Sequence, residues 1–287
     1  MKLVRFGSIG KEKPGMVDEN GDLRDISELV DDVNAALLSD EAKLNAIRAL
    51  DVTTLEKVAS APMAPDTWPR LAPCVADVGK MVCIGLNYYD HAAEVGREVP
   101  KEMMVFFKAT SCISGPYDNV PIPIGAKSVD WEVELGVVIG KKAKYVSKED
   151  AIEYVAGYCI VNDVSERDFQ KTSGEARAKS CDGFGPIGPC VVTKDEVPDP
   201  QNLSMTTHVN GVRMQNGTTK TMIFPVAEII AYLSSFFTLY PGDIISTGTP
   251  PGVGVGMKPS PVFLKAGDVM ELRIDKLGMQ RQTVTHD

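Results

Sequence analysis

The sequence lacks the features on which several large classes of protein depend. It has no run of lysine and arginine long enough to form a basic patch and carries a formal net charge of -9, which argues against a surface that binds nucleic acid. No apolar run approaches the roughly 20 residues of a membrane-spanning helix, and the N-terminus has no apolar segment of signal-peptide length. We therefore expect a cytoplasmic protein that binds neither nucleic acid nor a membrane.

The cysteine spacing and the absence of known nucleophile and nucleotide-binding motifs disfavour further classes of protein. The six cysteines are scattered without a CxxC pair, and a chain of 287 residues with 44% hydrophobic residues can form a core without disulfides, so reduced thiols are expected. The absence of a G-x-S-x-G motif disfavours a serine hydrolase with a nucleophile elbow. The stretch GVGVGMK (252–258) lacks both the G-x-G-x-x-G spacing and a following helix pattern, so a dinucleotide site is not expected.

The chain is predicted to form a small N-terminal domain over residues 1–72 and a larger domain over residues 73–287. In the first, MKLVRFG and PGMVDENGDLRDIS are predicted as strands, with Asn20 and Gly21 in the turn of a hairpin. The segments SDEAKLNAIRALD and DVTTLEKVAS are predicted as short helices. The proline-rich APMAPDTWPRLAP is predicted as a linker, and the boundary follows from it.

Short strand-like runs dominate the larger domain. They alternate with turns rich in glycine and proline and are MVCIGLN, MVFFKAT, WEVELGVVIG, GYCIVND, PCVVT, MTTHVNG, DIISTGTP and DVMELRI. Two segments, SKEDAIEYVAG and PVAEIIAYLSSFFTL, are predicted as helices. Because strands outnumber helices and do not alternate with them, the predicted fold class is α+β and β-rich.

Two acids lie two residues apart inside the predicted strand WEVELGVVIG. Side chains alternate faces along a strand, so Glu132 and Glu134 share one face while Trp131 and Val133 point into a core. Two half-buried like charges repel each other, so this face needs water, cations or a divalent metal against it. Asp163 ends another apolar strand, GYCIVND. Three carboxylates together would form an all-oxygen site for Mg²⁺ or Mn²⁺, and a solvated strand face is the simpler alternative.

His91 is the best candidate for a general base. It is one of only three histidines, with His208 in a strand-like run and His286 near the end of the chain. Glu94 follows three residues later and would be within reach on a helical turn. A histidine that is oriented by a carboxylate is a common base near neutral pH. A surface histidine beside an acid is the alternative interpretation.

Together these motifs resemble the fumarylacetoacetate hydrolase family. The resemblance runs in order from Cys83 to Gly254 and rests on IGLNYYDHAAE, PIPIGAKSVDWEVELGVVIG, IVNDVSERDFQ, AKSCDGFGPIGPCVV, VNGVRMQNGTTKTMIFP and LYPGDIISTGTPPGVG. Within the family, the sequence is most similar to bacterial 2,4-diketo-3-deoxy-L-rhamnonate and L-fuconate hydrolases. The resemblance implies a rolled mixed β-sandwich behind a small N-terminal α/β domain, assembled as a homodimer.

The resemblance also implies roles for nine residues. They are metal ligands (Glu132, Glu134 and Asp163), catalytic groups (His91, Glu94 and Lys179) and substrate contacts (Arg167, Gln170 and Thr249). The implied cofactor is Mg²⁺ or Mn²⁺, and the implied partner is a small 2-oxo acid. The segment SGEARA before Lys179 differs from close relatives, which have an aromatic residue there, so the tail of the substrate stays open.

The implied reaction is hydrolysis of the C3–C4 bond of a 2,4-dioxo acid. With 2,4-diketo-3-deoxy-L-rhamnonate or the fuconate as substrate, the products would be pyruvate and L-lactate. The alternatives are an oxaloacetate decarboxylase or acylpyruvase, a ureidoglycolate lyase, and a binding protein that has lost catalysis. An inactive relative is expected to lack a dyad or metal residue, and all of those positions are filled, which favours an enzyme.

Overall fold

The computed structural model describes residues 1–286 and consists mainly of β-strands. Within these residues the strands are β1 (Lys2–Phe6), β2 (Lys13–Val17), β3 (Leu23–Asp25), β4 (Lys57–Ala59), β5 (Met81–Gly85), β6 (Met104–Lys108), β7 (Ile113–Ser114), β8 (Val120–Ile122), β9 (Val129–Asp130), β10 (Val133–Ile139), β11 (Val155–Asn162), β12 (Ser165–Glu166), β13 (Gly185–Thr193), β14 (Ser204–Val209), β15 (Val212–Thr218), β16 (Ile244–Ser246), β17 (Val269–Ile274) and β18 (Gly278–His286). The helices are α1 (Ala35–Ser39), α2 (Glu41–Arg48), α3 (Tyr89–Glu94), α4 (Arg167–Ser173), α5 (Glu175–Lys179) and α6 (Val226–Phe236). The predicted β-rich class is confirmed.

The strands form two main mixed sheets that pack against each other. The larger has the order β4-β3-β2-β1-β13-β11-β10-β16-β5-β6, with β7 paired to β13. The smaller has the order β15-β14-β17-β18-β8, and a separate ribbon joins β9 to β12. Leu135 and Tyr158 of the larger sheet share one core with Met205 and Leu272 of the smaller sheet. The predicted mixed β-sandwich is therefore present.

Strand β10 lies in the interior of the larger sheet and is covered on both faces. It is antiparallel to both β11 and β16. Leu135 and Val137 belong to the core between the sheets, whereas Val138 belongs to a second apolar cluster that also contains Leu44 of α2. A strand that is buried on both faces has a nearly continuous apolar sequence. The same alternation places Glu134 on the face opposite Leu135.

The N-terminal strands continue the larger sheet. Strand β1 is antiparallel to both β2 and β13, so the sheet runs across the predicted domain boundary. The predicted hairpin is confirmed, because β2 and β3 pair around Gly21, whose φ of 82° suits a glycine. The helix predicted in SDEAKLNAIRALD is confirmed as α2, which the side chain of Asp40 caps. The division of the chain after residue 72 stays a prediction.

Two of the predicted helices are wrong. DVTTLEKVAS forms a single 3-10 turn over Val52–Thr54, because its β-branched residues favour a helix poorly and the residues that follow pair with β3. SKEDAIEYVAG forms a 3-10 turn over Ala151–Tyr154 and then enters β11, because pairing with β10 and β13 outweighs the local helical pattern. The helix predicted in PVAEIIAYLSSFFTL is confirmed as α6.

The cysteines are free thiols inside this fold. Five of the six are buried, and Cys181 is partly exposed. Burial raises the pKa of the Cys83 thiol well above its usual value, so this side chain stays protonated and unreactive. Among residues 1–286, no helix combines the length and the apolar character that crossing a membrane requires.

Replacing Leu135 by alanine tests whether the core between the sheets stabilises the fold. Leu135 is 0% exposed, so its truncation leaves a cavity and should lower the free energy of unfolding by about 2–5 kcal/mol. The control is Ile124→Ala, because Ile124 is 91% exposed and its loss should change that free energy by less than about 0.5 kcal/mol. Urea unfolding followed by circular dichroism measures both, and equal effects would contradict this account of the core.

Candidate active site

One cavity of about 490 Å³ brings together the residues that the sequence singled out. Helix α3, strand β10, the α4–α5 region and the loop after β16 contribute its walls. All nine predicted site residues line it: His91, Glu94, Glu132, Glu134, Asp163, Arg167, Gln170, Lys179 and Thr249. Residues that are far apart in the chain therefore meet at one site.

Three of these residues form a buried cluster of carboxylates, which we call the acidic triad (Glu132, Glu134 and Asp163). Glu132 precedes β10, Glu134 lies within it, and Asp163 follows β11. Val133 and Asn162 are opposite each other in the antiparallel β10–β11 pair, so the ends of the two strands lie side by side. One oxygen of each carboxylate lies within 4.8 Å of the other two. The predicted shared face of Glu132 and Glu134 is confirmed.

Three buried cations contact the acidic triad. Lys179 Nζ donates to Glu132 Oε2 at 2.8 Å and to Asp163 Oδ2 at 2.6 Å. Arg167 Nη2 donates to Glu132 Oε1 at 2.6 Å. Lys108 Nζ donates to the remaining oxygen of Asp163. Because a buried carboxylate is costly unless it is paired and hydrogen-bonded, these contacts offset the cost of burying Glu132 and Asp163.

Burial and ion pairing act in opposite directions on the triad. Burial disfavours the charged form of Glu132, but Lys179 and Arg167 outweigh burial and lower its pKa. Glu134 makes no direct ion pair among the described residues, and burial together with the charges of Asp163 and Glu132 raises its pKa to about 8. Glu134 is thus the triad member for which the protein supplies the least positive charge, and a further cation beside it would favour its ionised form.

Hydrogen bonds fix the orientation of Glu134. Its Oε2 accepts from Ser246 Oγ at 2.6 Å and from the backbone N–H of Gly248 at 2.8 Å. Gly248 has a φ of 96°, and a side chain at this position would lie 2.7 Å from Asn87 Cβ, so only glycine fits. Within the described residues Oε1 accepts no hydrogen bond, which leaves it available to a ligand.

The predicted dyad is formed on helix α3. His91 Nδ1 lies 2.9 Å from Glu94 Oε2. The other oxygen of Glu94 accepts from the backbone N–H of Gly252 at 2.7 Å. With Nδ1 donating to this carboxylate, Nε2 is the ring nitrogen that can accept a proton. The arrangement is that of an oriented general base.

The polar groups that were predicted to contact substrate already have protein partners. Thr249 Oγ1 donates to Val133 O at 2.9 Å and accepts from Gln215 Nε2 at 2.8 Å. Gln170 Nε2 donates to the two carboxylate oxygens of Glu175 at 2.9 and 3.0 Å. In this arrangement the hydroxyl donor of Thr249 is used within the protein, whereas one of the two N–H groups of Gln170 remains for a ligand.

The rest of the cavity wall combines apolar side chains with charged ones, among them the acid Glu175. Its apolar side chains include Ile84, Val95, Met104 and Phe106. Arg97 and Lys258 also line the cavity, and within residues 1–286 neither of them forms an ion pair. The wall therefore offers apolar surface and positive charge in addition to the acidic triad.

Sequence reasoning missed three buried polar residues of this region. Lys108 ends the apolar strand MVFFK, where a single buried charge indicates a buried partner. Asp130 precedes Glu132 by two residues, so the alternation that relates Glu132 to Glu134 extends to it. Gln215 comes from β15 of the smaller sheet, and no local pattern predicted its contact with Thr249.

Comparison with known proteins identifies the family. The family described as fumarylacetoacetate (FAA) hydrolase C-terminal matches residues 80–285. A protein of Burkholderia cenocepacia strain J2315, named a candidate hydrolase, is 55% identical, and the alignment covers 100% of this chain and 99% of that protein. A protein of Burkholderia ambifaria with a similar name is also 55% identical, over 99% of this chain and 98% of that protein. Neither name specifies a substrate.

Solved structures show the same similarity over the whole chain. Fumarylacetoacetate hydrolase from Exiguobacterium antarcticum is 33% identical with a TM-score of 0.85 and covers 100% of both chains. Maleylpyruvate hydrolase from Sphingobium sp. SYK-6, in complex with manganese(II) and pyruvate, is 30% identical with a TM-score of 0.81 over 100% of this chain and 99% of that one. A 2-hydroxyhepta-2,4-diene-1,7-dioate isomerase from Mycobacterium marinum is 32% identical with a TM-score of 0.71 over the same shares. The chain therefore belongs to the fumarylacetoacetate hydrolase family of enzymes.

Proposed function

We propose that this protein is a divalent-metal-dependent hydrolase that cleaves the C3–C4 bond of a 2,4-dioxo acid and releases pyruvate. The observation that carries the proposal is the presence of the His91–Glu94 dyad in the same cavity as the acidic triad. A base beside an all-carboxylate site suits a reaction that needs both an activated water and a stabilised oxyanion. Similarity to a maleylpyruvate hydrolase in complex with manganese(II) and pyruvate supports the same assignment.

The residues present fit a hard divalent cation. The acidic triad offers only oxygen donors, a set that suits Mg²⁺ or Mn²⁺ better than Zn²⁺. Glu134, whose pKa burial and the neighbouring acids raise to about 8, gains from positive charge beside it. When bound, such a cation is a Lewis acid that stabilises the negative charge developing on the oxo acid. We therefore assign Glu132, Glu134 and Asp163 as the ligands of Mg²⁺ or Mn²⁺.

The side chains of the dyad move the protons. Glu94 holds His91 through Nδ1, so that Nε2 removes a proton from a water molecule whose oxygen attacks C4. The C3–C4 bond then breaks, and its electron pair remains on C3 as a pyruvate enolate that takes up a proton. The acyl group at C4 leaves as a carboxylic acid. Lys179, which lines the cavity, supplies positive charge that favours the anionic substrate.

Two candidate substrates differ in the tail beyond C4. The sequence resemblance favours 2,4-diketo-3-deoxy-L-rhamnonate or the fuconate, which would give pyruvate and L-lactate. The hydroxyl groups of such a tail need polar partners, yet Thr249 already donates to Val133 O and Gln170 has only its second N–H left beside Glu175. The apolar wall with the unpaired cations Arg97 and Lys258 favours, as a second candidate, a tail that ends in a carboxylate, such as that of maleylpyruvate.

Two changes test the proposed reaction: the loss of one carboxylate charge and the removal of the metal. With Mg²⁺ or Mn²⁺, the wild type should release pyruvate from at least one of the sugar acid, maleylpyruvate and acetylpyruvate, and EDTA should abolish the release. Glu134→Gln keeps the shape of the side chain but removes the charge, so kcat/KM should fall about 100-fold or more. A coupled lactate dehydrogenase assay measures the pyruvate.

The matched control is Glu149→Gln, because Glu149 is exposed and lies outside the cavity; it should behave like the wild type. Oxaloacetate and ureidoglycolate complete the substrate panel. Pyruvate from oxaloacetate alone would replace the proposal by a decarboxylase, and glyoxylate from ureidoglycolate alone would replace it by a lyase. Undiminished activity of Glu134→Gln would refute the assigned metal site.

Neutral side chains in place of Arg97 and Lys258 test the charge of the substrate tail. The double variant Arg97→Met with Lys258→Met should raise KM for maleylpyruvate about 10-fold or more, because a hydrogen bond to a charged group contributes about 1.5–3 kcal/mol. KM for acetylpyruvate, which ends in a methyl group, should stay unchanged. Steady-state kinetics with both substrates decide the question. Equal changes for both, or a wild type that prefers the sugar acid, would count against a carboxylate tail.

The proposal includes a homodimer with β6 in its interface. Strand β6 is an edge of the larger sheet. Its Phe107 is 46% exposed and lies next to Phe237, with ring centroids 5.5 Å apart. An uncovered edge strand that carries exposed aromatic side chains is prone to pair with another chain. A second copy of this chain is the partner that the family resemblance implies.

A charge at Phe107 tests this interface. The wild type should elute as a dimer in size-exclusion chromatography with light scattering, and Phe107→Glu should elute as a monomer, because the charge would be buried in the interface. Val212→Glu is the control, since Val212 is 59% exposed on β15, which is the edge of the smaller sheet. A monomeric wild type, or dissociation by both variants, would exclude β6 as the interface.

A further inference from the structure

The glycine-rich stretch that begins at Gly252 lacks a dinucleotide-binding motif, but its backbone contacts residues of the active-site cavity and its surroundings. We call residues 252–256 the glycine loop. Its first backbone N–H, that of Gly252, donates to Glu94 Oε1 at 2.7 Å. Its first carbonyl accepts from Trp131 Nε1 at 3.0 Å. The glycine loop is therefore bonded both to the dyad and to the residue that precedes Glu132.

Asp130 holds the other end of the glycine loop and also holds Arg167. This buried carboxylate accepts the backbone N–H groups of Gly254 at 2.6 Å and Val255 at 2.9 Å. Arg167 Nε donates to Asp130 Oδ2 at 2.8 Å, while Arg167 Nη2 donates to Glu132 Oε1 at 2.6 Å. Two side chains in series, Asp130 and Arg167, thus connect the glycine loop with a member of the acidic triad.

The glycine loop packs closely against these partners. A side chain on Gly254 would lie 2.0 Å from Val262 O and 2.7 Å from Asp130 Oδ1. A side chain on Gly256 would lie 2.7 Å from Glu94 Cδ. The backbone therefore packs directly against both carboxylates, and a displacement at one end would be transmitted to the other.

We propose that Asp130 is a positioning residue that fixes the His91–Glu94 dyad relative to the acidic triad through the glycine loop. A series of hydrogen bonds runs from Glu94 through the glycine loop to Asp130, and from there through Arg167 to Glu132. The roles of the two ends rest on the proposed function, whereas the bonds between them do not. Reacting groups need this precision, because a misplacement of about 1 Å can cost about 100-fold in rate.

The variant Asp130→Asn tests the proposal at both ends. Its NH₂ group would replace either Oδ2, which accepts from Arg167 and Val255, or Oδ1, which accepts from Gly254, so in each orientation at least one of these donors loses its acceptor. Mn²⁺ affinity, measured by isothermal titration calorimetry, should fall about 10–100-fold because Glu132 loses its support. At saturating Mn²⁺, kcat should stay about 10-fold or more below that of the wild type, because the dyad remains displaced.

The chain offers a matched control in Asp18→Asn. Asp18 is also buried, accepts the backbone N–H groups of Asn20 and Asp22 at 2.9 Å each, and accepts from Arg24 Nε at 2.8 Å. It lies outside the cavity. This variant should lose a comparable amount of thermal stability while keeping the Mn²⁺ affinity and kcat of the wild type. A positioning effect is thereby separated from general destabilisation.

A second variant and a second measurement cover the case in which Asp130→Asn folds poorly. Trp131→Phe removes the indole donor to Gly252 O and leaves Asp130 in place, so it should lower kcat with little change in Mn²⁺ affinity. Amide hydrogen exchange needs no substrate, and it should be faster across 248–258 in Asp130→Asn but not in Asp18→Asn.

The outcomes separate the inference from the proposed function. Full kcat of Asp130→Asn at saturating Mn²⁺, or wild-type kcat of Trp131→Phe, would overturn the coupling between the two ends. Unchanged exchange across 248–258 would overturn it as well. If the wild type releases pyruvate from no substrate, the proposed function fails, and the Mn²⁺ affinity and hydrogen exchange of the variants still decide whether Asp130 positions the site.

Discussion

The balance of charge around a buried set of carboxylates is the constraint on which the rest of the site depends. Glu132, Glu134, Asp163 and Asp130 are all buried, and three buried cations, Arg167, Lys179 and Lys108, contact all of them except Glu134. Among the described residues Glu134 has no direct ion pair, and burial together with the neighbouring acids raises its pKa to about 8. A bound cation beside Glu134 would favour its ionised form, so the arrangement suits a divalent metal. The three protein cations come from β6, α4 and α5, which explains why these elements converge beside β10.

Strand β10 can keep buried carboxylates in fixed positions because it is hydrogen-bonded to a strand on each side. Its odd-numbered residues pack into the core between the sheets, and its hydrogen bonds to β11 and β16 fix its register. Glu132 and Glu134 are therefore held by a strand that cannot move independently of the sandwich, and Asp163 follows the neighbouring strand β11. The dyad, in contrast, lies on a helix of six residues, and a helix this short has little stability of its own. Its position depends on tertiary contacts, among which the bond between Gly252 and Glu94 is the most direct.

Much of the site could be predicted because it follows from local periodicity. Two-residue spacing places Glu132 and Glu134 on one face, and three-residue spacing places His91 and Glu94 on one turn. Lys108 could not be assigned in the same way, because its contact with Asp163 depends on how β6 packs near the end of β11. Gln215 reaches Thr249 from the opposite sheet, which no local pattern encodes. The helix wrongly predicted in DVTTLEKVAS has the same cause: pairing of β4 with β3 decided its structure.

The position of the dyad also bears on which reaction the site performs. The similar solved proteins are named both as hydrolases and as an isomerase, so a common fold does not by itself select between breaking a C–C bond and moving a double bond. Both reactions need negative charge on an oxo acid to be stabilised, and hydrolysis needs in addition a water molecule activated at C4. In the proposed hydrolysis, His91 oriented through Nδ1 activates that water only while Glu94 stays in place. Moving a double bond also requires a base, so the two reactions differ in whether the base acts on a water molecule at C4. The restraint of Glu94 by the glycine loop therefore bears on water activation, the step that hydrolysis has and isomerisation lacks.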